Sequence, residues 1–300
     1  MKRIVLALIF LIIAGAIVFY VLTIPKHLDE TQLQAMASGD AVRGERMFWA
    51  GGCASCHADK DAKGEDKFKL GGGLALATPF GTFHAPNISP DTNTGIGGWT
   101  AADFANSMKM GVSPNDSHYY PAFPYTSYTR MRIEDVADLW AFLQTLPAVA
   151  KENIPHELPL IFQFRRGLGL WKLLFLKDEP VVEFASADAN VKLGQYLVEG
   201  PAHCGECHTP RDLIGGMELS RWLAGGPAPE GDGKIPDITP GPDGIGSWSA
   251  EEIVFSLETG LTPEFDSFGS SMVSVQQNMA MLTKEDRQAI AAYLKAIPPH

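Results

Sequence analysis

Cys53-Ala54-Ser55-Cys56-His57 and Cys204-Gly205-Glu206-Cys207-His208 decide how this chain folds, and its 4 cysteines all lie in these two stretches. Both read C-x-x-C-H, the attachment signature of haem c. Two thiols three positions apart can each form a thioether to one porphyrin vinyl group, and the adjacent imidazole then reaches the iron. Other cysteine chemistries fit less well. A redox-active C-x-x-C does not need His at the next position twice. Disulfides suit an exported protein, but closing so small a loop adds little stability. A Cys2His2 zinc site needs clustered ligands, and the two motifs stand 151 residues apart. Cys53, Cys56, Cys204 and Cys207 are therefore expected to hold two haems, with His57 and His208 as iron ligands.

The halves of the chain repeat with an offset of 149–151 residues, so each half reads as one structural unit. Pro86-Asn87-Ile88-Ser89-Pro90 answers Pro236-Asp237-Ile238-Thr239-Pro240, and Gly95-Ile96-Gly97-Gly98-Trp99 answers Gly244-Ile245-Gly246-Ser247-Trp248. Each half closes on an amphipathic helix. Val136, Leu139, Trp140, Leu143 and Leu146 share one face in the first, as do Ile290, Tyr293, Leu294 and Ile297 in the second. Gly44 and Gly194 are expected to let each opening helix approach its closing helix. Units of about 110 residues with so few helices need the apolar mass of a haem to complete a core. The fold expected is mainly α, with haem domains at 38–150 and 188–300. Residues 151–187 are too apolar for a free linker. They read either as a strap across both units or as an ordinary connection with core side chains.

The N-terminus decides location. Lys2 and Arg3 precede Ile4–Ile24, an apolar run without a charge. Its length suits a single transmembrane helix, and the flanking cations favour a cytoplasmic N-terminus. A cleaved signal peptide is the competing reading, although its apolar region is usually only about 7–15 residues. Residues 1–25 are expected to be the anchor and 26–37 a juxtamembrane linker, with the haem domains in the periplasm of a bacterial inner membrane. The net charge of −11 comes mostly from residues 188–300, where 16 Asp and Glu face 7 Lys and Arg. No basic stripe exists to neutralise phosphates, which argues against nucleic acid. An acidic face favours a basic protein partner, through an attraction that salt weakens.

Three segments carry a family resemblance: Thr78-Pro79-Phe80-Gly81-Thr82-Phe83 with Pro86–Asp91, Tyr120-Pro121-Ala122-Phe123-Pro124-Tyr125, and Cys204–Arg211. Over nearly all of 38–300 the chain resembles the cytochrome c subunits of bacterial membrane-associated dehydrogenases acting on alcohols, aldehydes or gluconate. The resemblance implies two tandem class I cytochrome c-like haem domains plus one N-terminal transmembrane helix. It also implies electron transfer from a periplasmic dehydrogenase to quinone, another respiratory cytochrome or an oxidase. Two departures stand out. Many members carry three haems, and many have Met where this chain has Phe123. Two rivals share the layout: a dihaem cytochrome c peroxidase, which needs one open iron, and a dihaem subunit of a haem–copper oxidase.

The sixth iron ligand sets redox character, since a Met thioether raises the potential and closes the iron. In cytochromes of this plan that Met lies just before the closing helix. Met272 is expected to fill the role for the second haem, with Met279 and Met281 as rivals. The first loop offers Met131, the expected ligand of the first haem, with His118 as the chief alternative. Met108 and Met110 sit on a helix and read as core filler. Arg165, Arg166 and Arg211 read as haem-propionate partners or, more simply, as solvated surface charges.

Overall fold

The computed structural model describes residues 1–36, 38–229 and 233–300; Ala37 of the linker and residues 230–232 of the second unit lie outside them. A long helix α1 (Lys2–Leu22) is followed by a short α2 (Glu30–Gln34). The first unit then runs α3 (Ala41–Ala50), α4 (Cys53–His57), the hairpin β1 (Ala75–Thr78) and β2 (Gly81–His84), α5 (Ala101–Met110), α6 (Tyr125–Tyr128) and α7 (Ile133–Leu143). After α8 (Leu168–Phe175) the order repeats: α9 (Ala189–Glu199), α10 (Gly205–His208), the hairpin β3 (Gly226–Pro227) and β4 (Lys234–Ile235), α11 (Ala250–Thr259), α12 (Met272–Met279) and α13 (Lys284–Ala296). Both hairpins are antiparallel, with Ala75 opposite His84 and Gly226 opposite Ile235.

The local signals for these helices match between halves. Thr100 and Ser249 cap α5 and α11 through reciprocal capping boxes with Asp103 and Glu252. Left-handed glycines, Gly111 and Gly260, end both helices. Thr283 caps α13 by accepting from the Asp286 amide.

Each core is built on a crossing of opening and closing helices. A side chain at Gly44 would stand 2.0 Å from the Asp138 carbonyl and 2.8 Å from Phe142 Cβ. One at Gly194 would stand 1.9 Å from the Ala289 carbonyl and 2.8 Å from Tyr293 Cβ. Only glycine lets these backbones touch. Around the crossings Phe48, Val136, Leu139 and Leu143 are buried in the first unit, and Leu197, Ile290, Tyr293 and Leu294 in the second.

The linker packs more closely than its sequence announces. Leu28 is buried, its amide donates to Asn106 Oδ1 at 2.8 Å, and Asp29 caps α2 with a capping box. Residues 151–187 run along both units. Glu157 pairs with Thr82, Tyr120 Oη donates to the Phe162 carbonyl at 2.8 Å, and Trp171 Nε1 donates to the Ile214 carbonyl at 2.9 Å. The segment therefore contacts both units.

Helix α1 is long and apolar enough to cross a membrane, and none of its residues is buried by protein. Its C-terminal end is clasped. Thr23 is fully buried, Arg166 Nε donates to Thr23 Oγ1 at 2.9 Å, and Arg166 also covers the Tyr20 ring at 4.5 Å. His118 Nε2 donates to the Thr23 carbonyl at 3.0 Å, so its Nδ1 is the acceptor for Lys172 Nζ at 3.1 Å. Lys172 donates further to the Met110 and Gly111 carbonyls at 2.7 and 2.6 Å. Burial pushes its pKa down to about 7.

Two outcomes follow from this packing. Gly194→Ala should cost about 1–3 kcal/mol by overpacking the α9–α13 crossing, read as a lower denaturant midpoint of the haem-loaded protein with unchanged slope. The second concerns pH. Burial first, then the Lys172 and Arg166 cations, hold the His118 pKa below 6.5. Its contribution is thus complete above pH 6.5 and is lost as pH falls through the window beneath, because the unfolded chain takes the proton first. Hydrogen exchange of residues 165–172, corrected for intrinsic rates, should be faster at about pH 5.5 than at about pH 7.5, either side of the ordinary histidine value.

Candidate haem-attachment site

Each C-x-x-C-H turn begins from a left-handed residue, Gly52 (φ 59°) in the first and His203 (φ 40°) in the second. The following helical turn puts both thiols and the imidazole on one side. His57 Nδ1 lies 2.7 Å from the Pro86 carbonyl and His208 Nδ1 2.9 Å from the Pro236 carbonyl. A carbonyl only accepts, so Nδ1 carries the proton and Nε2 keeps its lone pair, as iron ligation requires. Burial lowers both imidazole pKa values, which favours this neutral form. The carbonyls of both histidines are also held, by the amides of Gly72 and Gly225 at 2.7 Å each. Those glycines have φ of 71° and 67°, a backbone shape that side chains strain to adopt.

Cys53 and Cys204 keep part of their surface exposed, yet the mass around them pushes both thiols up to about 12. No disulfide joins any of the four cysteines. Neither Cys53 nor Cys204 is thus the acidified thiol that a redox-active C-x-x-C uses.

A pair of contacts that the motif reading missed ties the halves together. Ser127 Oγ and Thr126 Oγ1 on α6 donate to Glu206 Oε1 at 2.8 and 2.6 Å, reaching inside the second motif. Asn278 Nδ2 on α12 donates to Ser55 Oγ at 2.6 Å, inside the first. Ser55 and Glu206 are repeat equivalents, as are Ser127 and Asn278, so each attachment turn leans on the other unit's pre-closing helix. Arg46 pairs with Asp286 at 2.5 Å, and its counterpart Tyr196 bonds Asp135. The repeat offset was the signal that could have found these pairs. Burial opposes ionisation of Glu206, but the Arg211 charge at 2.6 Å and the two hydroxyls outweigh it, and its pKa is lowered.

Met272 opens α12 and is half-buried. Met131 is buried, and its amide bonds the Tyr128 carbonyl as the Leu282 amide bonds that of Met279. Met131 thus occupies the repeat position of the packing Leu282, whereas Met272 opens α12. His118 has both nitrogens engaged, by the Thr23 carbonyl and by Lys172 Nζ. Of the rivals, Met279 is buried in the core and Met281 is exposed. The three arginines are half-exposed and have partners in the fold: Arg165 covers the Tyr120 ring at 4.7 Å, Arg166 holds Thr23, and Arg211 pairs with Glu206.

A small helical unit presenting two thiols and a preset imidazole on one turn defines a c-type cytochrome. The family model for cytochrome c matches residues 41–147. The chain is 53% identical over 287 residues to the diheme cytochrome c-type protein of Cereibacter sphaeroides, covering 96% of this chain and 95% of that one. It is 35% identical over 259 residues to the fructose dehydrogenase cytochrome subunit of Gluconobacter japonicus, 85% of this chain and 52% of that one. It is 36% identical over 265 residues to the gluconate 2-dehydrogenase cytochrome c subunit of Pantoea cypripedii, 85% of this chain and 59% of that one. The chain thus spans little more than half the length of these two dehydrogenase subunits. It belongs to the cytochrome c family, in the group of dihaem c-type cytochromes related to dehydrogenase subunits, and is an electron-transfer protein rather than a catalytic one.

Removing Glu206 tests the cross-unit contact. Glu206→Ala leaves Arg211 and two buried hydroxyls without their partner and should cost about 3 kcal/mol. Glu206→Gln keeps the hydroxyl bonds and should cost about 1 kcal/mol. Denaturant unfolding of the haem-loaded protein measures both.

Proposed function

We propose that this chain is a membrane-anchored dihaem electron carrier, taking electrons from a dehydrogenase subunit outside the cytoplasm. It passes them to quinone, another cytochrome or an oxidase. The carrying observation is the duplicated imidazole–proline bond, the same iron-ligand geometry built twice at the repeat offset.

In this reading residues 38–150 and 188–300 are two tandem cytochrome c-like domains, and 151–187 is the strap between them. Cys53, Cys56, Cys204 and Cys207 hold two haem c groups. His57 and His208 bind iron on one side, and Met272 binds the second iron on the other. Each haem supplies a one-electron iron couple. The polypeptide's part is to fix the rings through four thioethers, orient each imidazole through its proline carbonyl, and wrap the sites in apolar side chains. The names of the relatives support a dehydrogenase partner. The acidic second half favours a basic docking face on that partner. Support for an uncleaved anchor comes from its burial of Thr23 beneath Arg166 and His118, contacts that a discarded leader has no reason to build.

The test is to express the full chain with a working haem-attachment system, fractionate membranes and denature the extracted protein. Two haem equivalents per chain, an intact N-terminus and a dehydrogenase subunit that co-purifies and is shed by salt are the expected results. A single covalent haem, or a soluble chain lacking its first 24 residues, overturns the reading.

A further inference from the structure

The two units differ at one loop. Upstream, their register is fixed at an offset of 149: Val112 bridges His118 as Leu261 bridges Ser267. The Tyr119 amide bonds the Gly111 carbonyl as that of Phe268 bonds Gly260, both at 2.8 Å. Downstream the offset is 151, with Met131 matching Leu282 and Tyr128 matching Met279. The second unit therefore carries two extra residues between these anchors, where α12 is longer than α6. Counted along the upstream register, Phe123 stands where Met272 stands.

Phe123 is half-buried in an aromatic cluster, with ring centroids 5.7 Å from Tyr119, 6.4 Å from Tyr125 and 5.7 Å from Tyr128. Tyr128 links this cluster to the first attachment turn, donating to the Gly51 carbonyl at 3.2 Å, two residues before Cys53. The cluster thus borders the first haem site. A phenyl ring has no lone pair to give iron. The other candidates are accounted for: Met131 packs in a leucine's slot, and His118 is held by Thr23 and Lys172. Met108 is buried in the core from α5, and Met110, half-buried at the end of that helix, packs against the same core.

We propose that the chain gives its first haem no sulfur ligand, and that Phe123 leaves the sixth position of that iron to a small neutral ligand such as carbon monoxide or nitric oxide. The aromatic wall favours a neutral occupant, since an anion would lose its hydration there without a charged partner. The second haem, bound through Met272, stays closed. This inference rests on the dihaem reading above.

The test uses the full chain matured with two haems, counted after denaturation. Carbon monoxide is titrated into the reduced protein, and the sulfur-to-iron charge-transfer band of the oxidised protein is followed by magnetic circular dichroism. One equivalent of carbon monoxide per two haems is expected. One charge-transfer band is expected as well, retained in Met131→Leu and lost in Met272→Ala. Phe123→Met should add a second band and weaken carbon monoxide binding at least tenfold. No uptake by a protein holding two haems, uptake of two equivalents, or loss of the band in Met131→Leu overturns this proposal alone. A single covalent haem overturns the dihaem reading with it.

Discussion

Everything in this molecule is arranged around an imidazole that is told which nitrogen to protonate. A carbonyl 2.7–2.9 Å from Nδ1 leaves one tautomer available, in which Nε2 keeps the lone pair that a metal would take. The carbonyls belong to Pro86 and Pro236, residues without an amide hydrogen of their own, set in loops of the same shape. The glycine-rich turns, the hairpins and the capped middle helices all serve to bring those loops back over the attachment turn. The helix crossings at Gly44 and Gly194 close the frame. A unit this small gains rigidity from backbone contact that a larger core would obtain from side-chain volume.

The second organising fact is that neither unit is self-contained. Glu206 and Ser55 occupy the same variable position of the two motifs, and each accepts a bond from the opposite unit. The same relation joins Arg46 to Asp286 and Tyr196 to Asp135. The interface has approximate two-fold character although the chain is continuous. Chemistry has diverged while geometry has not: a charged, arginine-backed contact on one side answers a neutral amide–hydroxyl contact on the other. The divergence makes the surroundings of the two attachment turns electrostatically unequal.

Much of the site was legible in the sequence because covalent chemistry demands adjacency. Two thiols and an imidazole must share one turn, so Cys53–His57 and Cys204–His208 declare themselves. The repeat exposed the element order for the same reason. Where partners come from far along the chain, the sequence was silent. Nothing local reveals that Thr23 and Lys172 hold His118, 95 and 54 residues away. The two-residue difference between α6 and α12 becomes visible only when hydrogen bonds fix the register at both ends. Leu28 and α2 likewise looked like linker until Asn106 was seen to hold them.

The clasp at the end of α1 has a mechanical consequence. A segment joined to its head by free chain lets that head swing over a hemisphere. Here Thr23, Tyr20, Arg166, His118 and Lys172 fuse stalk and head into one lever. For a chain inserted in a bilayer, the electron-carrying head then rides at a fixed height with a fixed tilt. Its encounters are reduced to lateral drift and spin about the membrane normal. Partners that present their own redox centre at the matching altitude meet it in register, and those that do not are missed.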